Sequence, residues 1–148
     1  MTIFCLRGYN EDKILLEFKE DQGFPHKNEL DGGYGISCSL QIVAGGCQAR
    51  ADKYYSSTSA LSKFLVELKE TYDKLGGEAE YIVMYEYNLS FKVLMSSVGH
   101  ARIIGQFIDN NILEGNILRN ALDFEIATDQ TYLVDAIKSL ESFLKKYE

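Results

Sequence analysis

The hydrophobic period of this chain switches from two to 3.6, back to two, and then to 3.6 again. In YGISCSLQIVA, residues 34–44, Ile36, Cys38, Leu40 and Ile42 share one face of an extended strand, while Ser37, Ser39 and Gln41 share the other. In SSTSALSKFLVELKETYDKLGG, Leu61, Phe64, Leu65, Leu68, Tyr72 and Leu75 recur at helical spacing and predict an amphipathic helix over 57–75. Ser57 or Thr58 is placed to cap its start, and Gly76–Gly77 to end it. The closing stretch, TDQTYLVDAIKSLESFLKKYE, repeats the pattern. Leu133, Ile137, Leu140 and Leu144 line one face, Thr128 or Asp129 is placed to cap, and Lys145 and Lys146 suit the negative C-terminal end.

Alternating or β-branched stretches predict strands at 2–7, 13–20, 34–44 and 47–55 before the first helix, and at 78–87, 89–97, 100–109 and 117–127 before the second. Between them, 21–33 and 110–116 read as loops, and Gly45–Gly46 as a tight turn. Short connections make neighbouring strands antiparallel. The expected fold is α+β: about eight mainly antiparallel strands and two amphipathic helices, in the order ββββα-ββββα. Both halves repeat this order at a spacing of about 75 residues. At 148 residues the expectation is a single domain, 1–148, with a core large enough to stand without disulfides.

The net charge is −7. That disfavours nucleic acid and anionic membrane surfaces, both of which call for a basic face. It suits a basic protein partner, although acidity by itself also keeps a protein soluble. MTIFCLRGYNED lacks the basic start and long apolar core of a signal peptide. No apolar run reaches the roughly 18 residues of a membrane span. Cys5, Cys38 and Cys47 lie in apolar stretches, odd in number and without a CxxC spacing. They read as buried reduced thiols in a cytoplasmic protein.

Two histidines are the obvious candidates for chemistry. His100 follows Gly99, and neither Ser96 nor Ser97 stands at a spacing that makes a nucleophile–base pair; it reads as the first residue of a strand. His26 shares its loop with Glu29 and Asp31, but their spacing matches no metal motif. The glycine pairs match neither GxxxxGK[ST] nor GxGxxG, and DGGYG at 31–35 leads into a strand rather than a helix. Neither a catalytic residue, a metal nor a cofactor is expected. The acidic residues are unevenly spread. Residues 9–31 hold Glu11, Asp12, Glu17, Glu20, Asp21, Glu29 and Asp31 against Lys13, Lys19 and Lys27, a net −4. This stretch reads either as a solvated edge that resists aggregation or as a docking surface for a basic partner.

Four segments, in order, carry a resemblance: GFPHKNELDGGYGISCSLQIVAGG, TSALSKFLVELKETYDKLGGEAEY, VGHARIIGQF and LDFEIATDQTYLVDAIKSL. Together they resemble the WapI-type immunity proteins of bacterial polymorphic toxin systems, from about Phe4 to Leu144. The Gly99–His100 pair and the run from Asp129 to Leu133 are the most specific pieces. One departure is Tyr34, where that family often carries a Trp after the loop Asp. The resemblance implies a small cytoplasmic non-enzyme that binds and neutralises a cognate toxin domain, often a nuclease and so basic. Tight binding needs buried anchors as well as charge. Tyr9 and Tyr34, with Asp21, Glu29 and Asp31, are the expected toxin-binding residues. Two other classes compete. A curved sheet lined by some of the 10 Tyr and 8 Phe would suit a small-ligand carrier, and a hydrolase would need His26 or His100.

Overall fold

The computed structural model describes residues 1–83 and 86–148, with Glu86 and Tyr87 described by backbone alone. The first half comprises β1 (Thr2–Arg7), β2 (Lys13–Gln22), β3 (Gly35–Ala44), β4 (Cys47–Ser57) and α1 (Thr58–Lys74). The second comprises β5 (Glu78–Val83), β6 (Glu86–Met95), β7 (His100–Leu113), β8 (Asn116–Asp129) and α2 (Gln130–Leu144). Short 3-10 turns follow β1 at Tyr9–Glu11 and α2 at Lys145–Tyr147. The strands form two antiparallel sheets, ordered β1-β2-β3-β4 and β5-β6-β7-β8. The α+β order read from the periodicity is the order observed.

Each helix packs against the first strand of the other half's sheet. The α1 helix lies along β5, α2 lies along β1, and the two helices touch. Both also satisfy polar groups of the strand they cover, which would otherwise face an apolar layer. Ser139 of α2 donates to the carbonyls of Thr2 (3.3 Å) and Ile3 (3.0 Å), and Glu67 of α1 accepts from the Glu80 N–H at 2.9 Å. Phe4 and Phe64 meet Tyr81 and Phe91 where the halves join. The six ring-centroid separations run from 5.2 to 6.4 Å, and the Tyr81–Phe91 pair is stacked. All four rings are fully or almost fully buried. The buried hydroxyls of Tyr54 and Ser56 reach the Tyr81 hydroxyl at 2.9 and 2.7 Å.

The second junction is a close backbone approach. A Cβ on Gly8 would overlap the Ile126 side chain and lie 2.6 Å from the Ala127 carbonyl oxygen. Thr128 donates from the same strand to the Arg7 carbonyl at 2.6 Å. Only glycine lets the β1–β2 connection lie this close to β8.

Several boundaries differ from the sequence reading. Residues 110–116 are not a loop. The β7 and β8 ladder continues without a bulge from His100↔Asp129 to Leu113↔Asn116 and leaves only Glu114–Gly115 as the turn. Both turn residues have positive φ, 51° and 80°, as a two-residue hairpin turn requires. The expected strand 78–87 ends at Val83; residues 84–85 lie outside the described residues. Asn88 falls within β6 rather than in a turn. Cys38 is buried and Cys5 half-buried, but Cys47 is exposed, because it opens β4 directly after the Gly45–Gly46 turn.

Candidate functional site

The five expected binding residues fall at two places. Tyr9 is exposed on the 3-10 turn after β1. Its hydroxyl donates to Asp129 Oδ2 at 2.7 Å, and its ring meets the edge of Tyr132 at 5.5 Å. The bond to the Asp129 carboxylate holds the Tyr9 phenol above its usual range. Asp129 is also the N-cap of α2. It accepts from the backbone N–H of Thr131 (2.9 Å) and Tyr132 (3.3 Å) and from the Thr131 hydroxyl. The Thr131 and Tyr9 hydroxyls, followed by those amides, keep its carboxyl below the usual carboxylate range.

Asp21, Glu29, Asp31 and Tyr34 gather at the opposite end of α2. Asp21 accepts from Lys146 Nζ at 2.7 Å and from the Tyr147 hydroxyl. Partial burial works to raise its carboxyl, but these two donors together outweigh burial and hold it low. The reciprocal effect is clear at Tyr147, which is pushed upward by burial first and by Asp21 second. Tyr34 is half-buried. Its ring sits edge-on to Phe24 at 4.8 Å and beside Tyr147 at 6.0 Å. Phe24, Phe143 and Phe18 extend this aromatic cluster, and Lys146 lies 4.8 Å above the Phe18 ring. The last residues of the chain therefore clamp the 23–34 loop.

Asp31 and Glu29 hold the same loop from the other side. Asp31 accepts from the Gly33 N–H at 3.0 Å and from the hydroxyl of Ser57, whose oxygen in turn accepts the Ala60 N–H at 3.0 Å. The DGG turn thus lies on a helix N-terminus, that of α1, and the Asp31 carboxylate occupies the position an anion favours there. DGGYG leads into β3, as its sequence indicates, and meets the start of α1 only through space. The contact is made 26 residues away in sequence. The Glu29 carboxylate lies over Gly35, where a Cβ would come within 2.5 Å of its Oε1.

Tyr9 therefore stands apart from the other four. Tyr132 and Tyr147, their respective neighbours, are separated by the length of α2, on the order of 20 Å at ~1.5 Å per residue. The acidic stretch is divided as well. Asp12 accepts the Gly45 N–H at 2.9 Å. Asp21 pairs with buried Ile36, while Glu17 and Glu20 pair with Ser39 and Ser37 and so face the other side of the sheet. Glu17, Glu20 and exposed Tyr55, which pairs with Ser37, form an open polar face; the sequence placed the two glutamates in the acidic stretch but gave no sign of Tyr55 beside them. An open groove of about 750 Å³ runs between the ends of α1 and α2, bordered by Asp31, Tyr34, Lys63, Lys69, Glu141 and Tyr147.

His100 opens β7 and is exposed, with its carbonyl accepting the Ser96 N–H at 2.8 Å. His26 is exposed in the 23–34 loop. Among the described residues, no group of three or more His, Cys, Asp or Glu side chains could hold a metal ion. Burial pushes the Cys38 thiol up to about 12, far from the reactive thiolate range. The described residues include no helix long and apolar enough to cross a membrane.

The family model for the immunity protein WapI-like family matches residues 5–148. The chain belongs to this family. No curated protein and no solved structure shows a significant match to it. Within this WapI-like immunity protein, the matched span takes in both sheets, both helices and the C-terminal clamp.

Proposed function

We propose that this immunity protein acts in the cytoplasm by binding a cognate toxin domain and covering its active surface, without catalysis of its own. Membership of the WapI-like immunity family carries this reading. The toxin is a basic domain, and a nuclease fits best, because surfaces that hold phosphates are cationic and this chain carries −7. Asp21, Glu29, Asp31 and Tyr34 form one part of the binding surface, and Tyr9 a second part beyond the far end of α2. Glu17, Glu20 and Tyr55 extend the acidic side. The carrier alternative has less support, since Phe4, Phe64, Tyr81 and Phe91 pack on one another rather than line a cavity.

The test is a survival assay. A candidate cognate toxin domain is expressed in cells with and without this chain, and viable cells are counted. Rescue is expected; toxicity without rescue would count against the pairing. Charge reversal at Asp21 or Asp31 would also break the internal bonds described above. Glu17→Lys with Glu20→Lys is the cleaner probe. Affinity for the toxin should fall about tenfold or more and lose most of its salt dependence. Unchanged affinity and unchanged salt dependence would remove the acidic face from the proposal.

A further inference from the structure

The four sheet edges are not treated alike. The β1 edge is covered by α2 and the β5 edge by α1. The β4 edge carries Arg50, Asp52 and Lys53 and has a register shift against β3 between Cys38 and Leu40. Charges and bulges of this kind keep an edge from pairing with another chain. The inner part of β8 is covered at Ile126–Thr128 by the Gly8 connection. Its outer part, 116–122, is less protected. It carries a single charge, Arg119, and neither Pro nor Lys, and its ladder with β7 is unbroken.

This open stretch belongs to a projecting arm. Among the described residues, the β6–β7 pairing runs to Leu89↔Phe107, whereas the β7–β8 pairing runs on to Leu113↔Asn116. All residues from 109 to 121 are exposed, including Ile112 at 77%, Leu113 at 60%, Ile117 at 71% and Leu118 at 45%. An isolated two-stranded ribbon is marginal in water, and clustered exposed aliphatics mark an interaction surface. The arm is also nearly neutral. Asp109, Glu114 and Arg119 give it a net −1, out of −7 for the whole chain. A basic partner has little to attract it here, whereas a second copy meets the least repulsion. Six residues from Phe107 to Leu113 span about 20 Å, well beyond the ~8 Å screening length at physiological salt. The acidic bodies thus stay out of each other's field.

We infer that the outer edge of β8 pairs antiparallel with the same edge of a second copy, giving a two-fold dimer with a continuous β7–β8–β8–β7 ribbon. The two-residue turn makes Leu113↔Asn116 a hydrogen-bonded pair, so the backbone groups of Ile117, Arg119 and Ala121 point to the free edge. A two-fold at Leu118 sets this residue opposite its own copy, Asn116 opposite Asn120, and Ile117 against the stem of Arg119. It also keeps the two arginines apart. Such an interface is isologous and closes on itself. This inference does not depend on the toxin reading.

Sedimentation velocity on the full chain tests it. The wild type at about 100 μM is expected near twice the 16.8 kDa of one chain. Ile117→Lys sets a second positive charge against Arg119 at the seam, and Arg119→Pro removes an outward N–H of the Ile117–Arg119 pair without touching the β7 ladder. Each should raise the dimer dissociation constant at least tenfold with an unchanged circular dichroism spectrum. In a Cys47→Ser background, Leu118→Cys should form a disulfide-linked dimer on mild oxidation, because facing residues at a non-hydrogen-bonded pair lie about 4.5 Å apart. Ile112→Cys should not. A monomeric wild type, dimers that survive both edge variants, or equal crosslinking at the two cysteines would overturn the proposal.

Discussion

The first half of the molecule and the second share one plan and spend their extra length differently. The first half puts it between β2 and β3, in a loop that the C-terminal residues and the start of α1 hold down. The second half connects β6 to β7 through only residues 96–99 and puts its extra length into the β7–β8 arm, where residues 109–121 are all exposed. Matched topology therefore does not imply matched surfaces. An anchored loop lies on one half and an apolar, projecting arm on the other. The shared part of the plan is the buried junction, where Phe4, Phe64, Tyr81 and Phe91 come from both halves.

Breaking the junction should have the largest effect. Phe64→Ala removes a ring in contact with three others and is expected to cost about 3–5 kcal/mol. Urea unfolding should still show one transition, because the halves have no separate cores; two transitions would mean that they do. Gly8→Ala attacks the second junction, where the Ala127 carbonyl cannot move aside without bending β8. A loss of about 1–3 kcal/mol is expected, together with faster amide exchange in β1 and inner β8. The two N-caps give a matched pair for sharpening the comparison. Ser57→Ala and Asp129→Ala should each cost about 1 kcal/mol. Each loss also breaks a second bond, Ser57–Asp31 at the first cap and Tyr9–Asp129 at the second. The first is partly buried and the second exposed, so Ser57→Ala should cost the more; equal effects would mean that Asp31 adds no more to its cap than Tyr9 adds to the other.

The smallest expected effect depends on pH. An unfolded Asp titrates near ~3.9, and Asp21 is held lower in the folded chain. The clamp is thus fully stabilising above about pH 4 and is lost as the pH falls through the folded value. Asp21→Asn should remove this acid sensitivity and cost less than about 1 kcal/mol at neutral pH. Amide exchange of the 23–34 loop between pH 5 and 3, compared in wild type and variant, measures it. Identical profiles would show that the clamp is not Asp21.

What was legible in the sequence was local. Alternation from Ile36 to Ile42 and helical spacing from Leu61 to Leu75 specify faces within one element, and Asp129 declares itself as a cap two residues before the N–H it accepts. Pairings across the chain left no such trace. Asp31 meets Ser57, Asp21 meets Tyr147, and Tyr9 meets Asp129 across 120 residues. Each residue alone reads as an ordinary polar side chain in a turn. The arm was misread for a different reason. Asn110, Asn111, Gly115 and Asn116 have the composition of a loop, but only two residues are needed to turn, and cross-strand pairing holds the rest extended.

Each helix covers the first strand of the other half, so each half on its own lacks the lid for its own sheet. A single cut between half-buried Gly76 and exposed Gly77 would leave two fragments, each holding what the other needs. Fragments 1–76 and 77–148 are expected to find one another in solution and to rebuild the same molecule without a covalent bond between them. The exchange of helices makes this protein a split pair that happens to be joined.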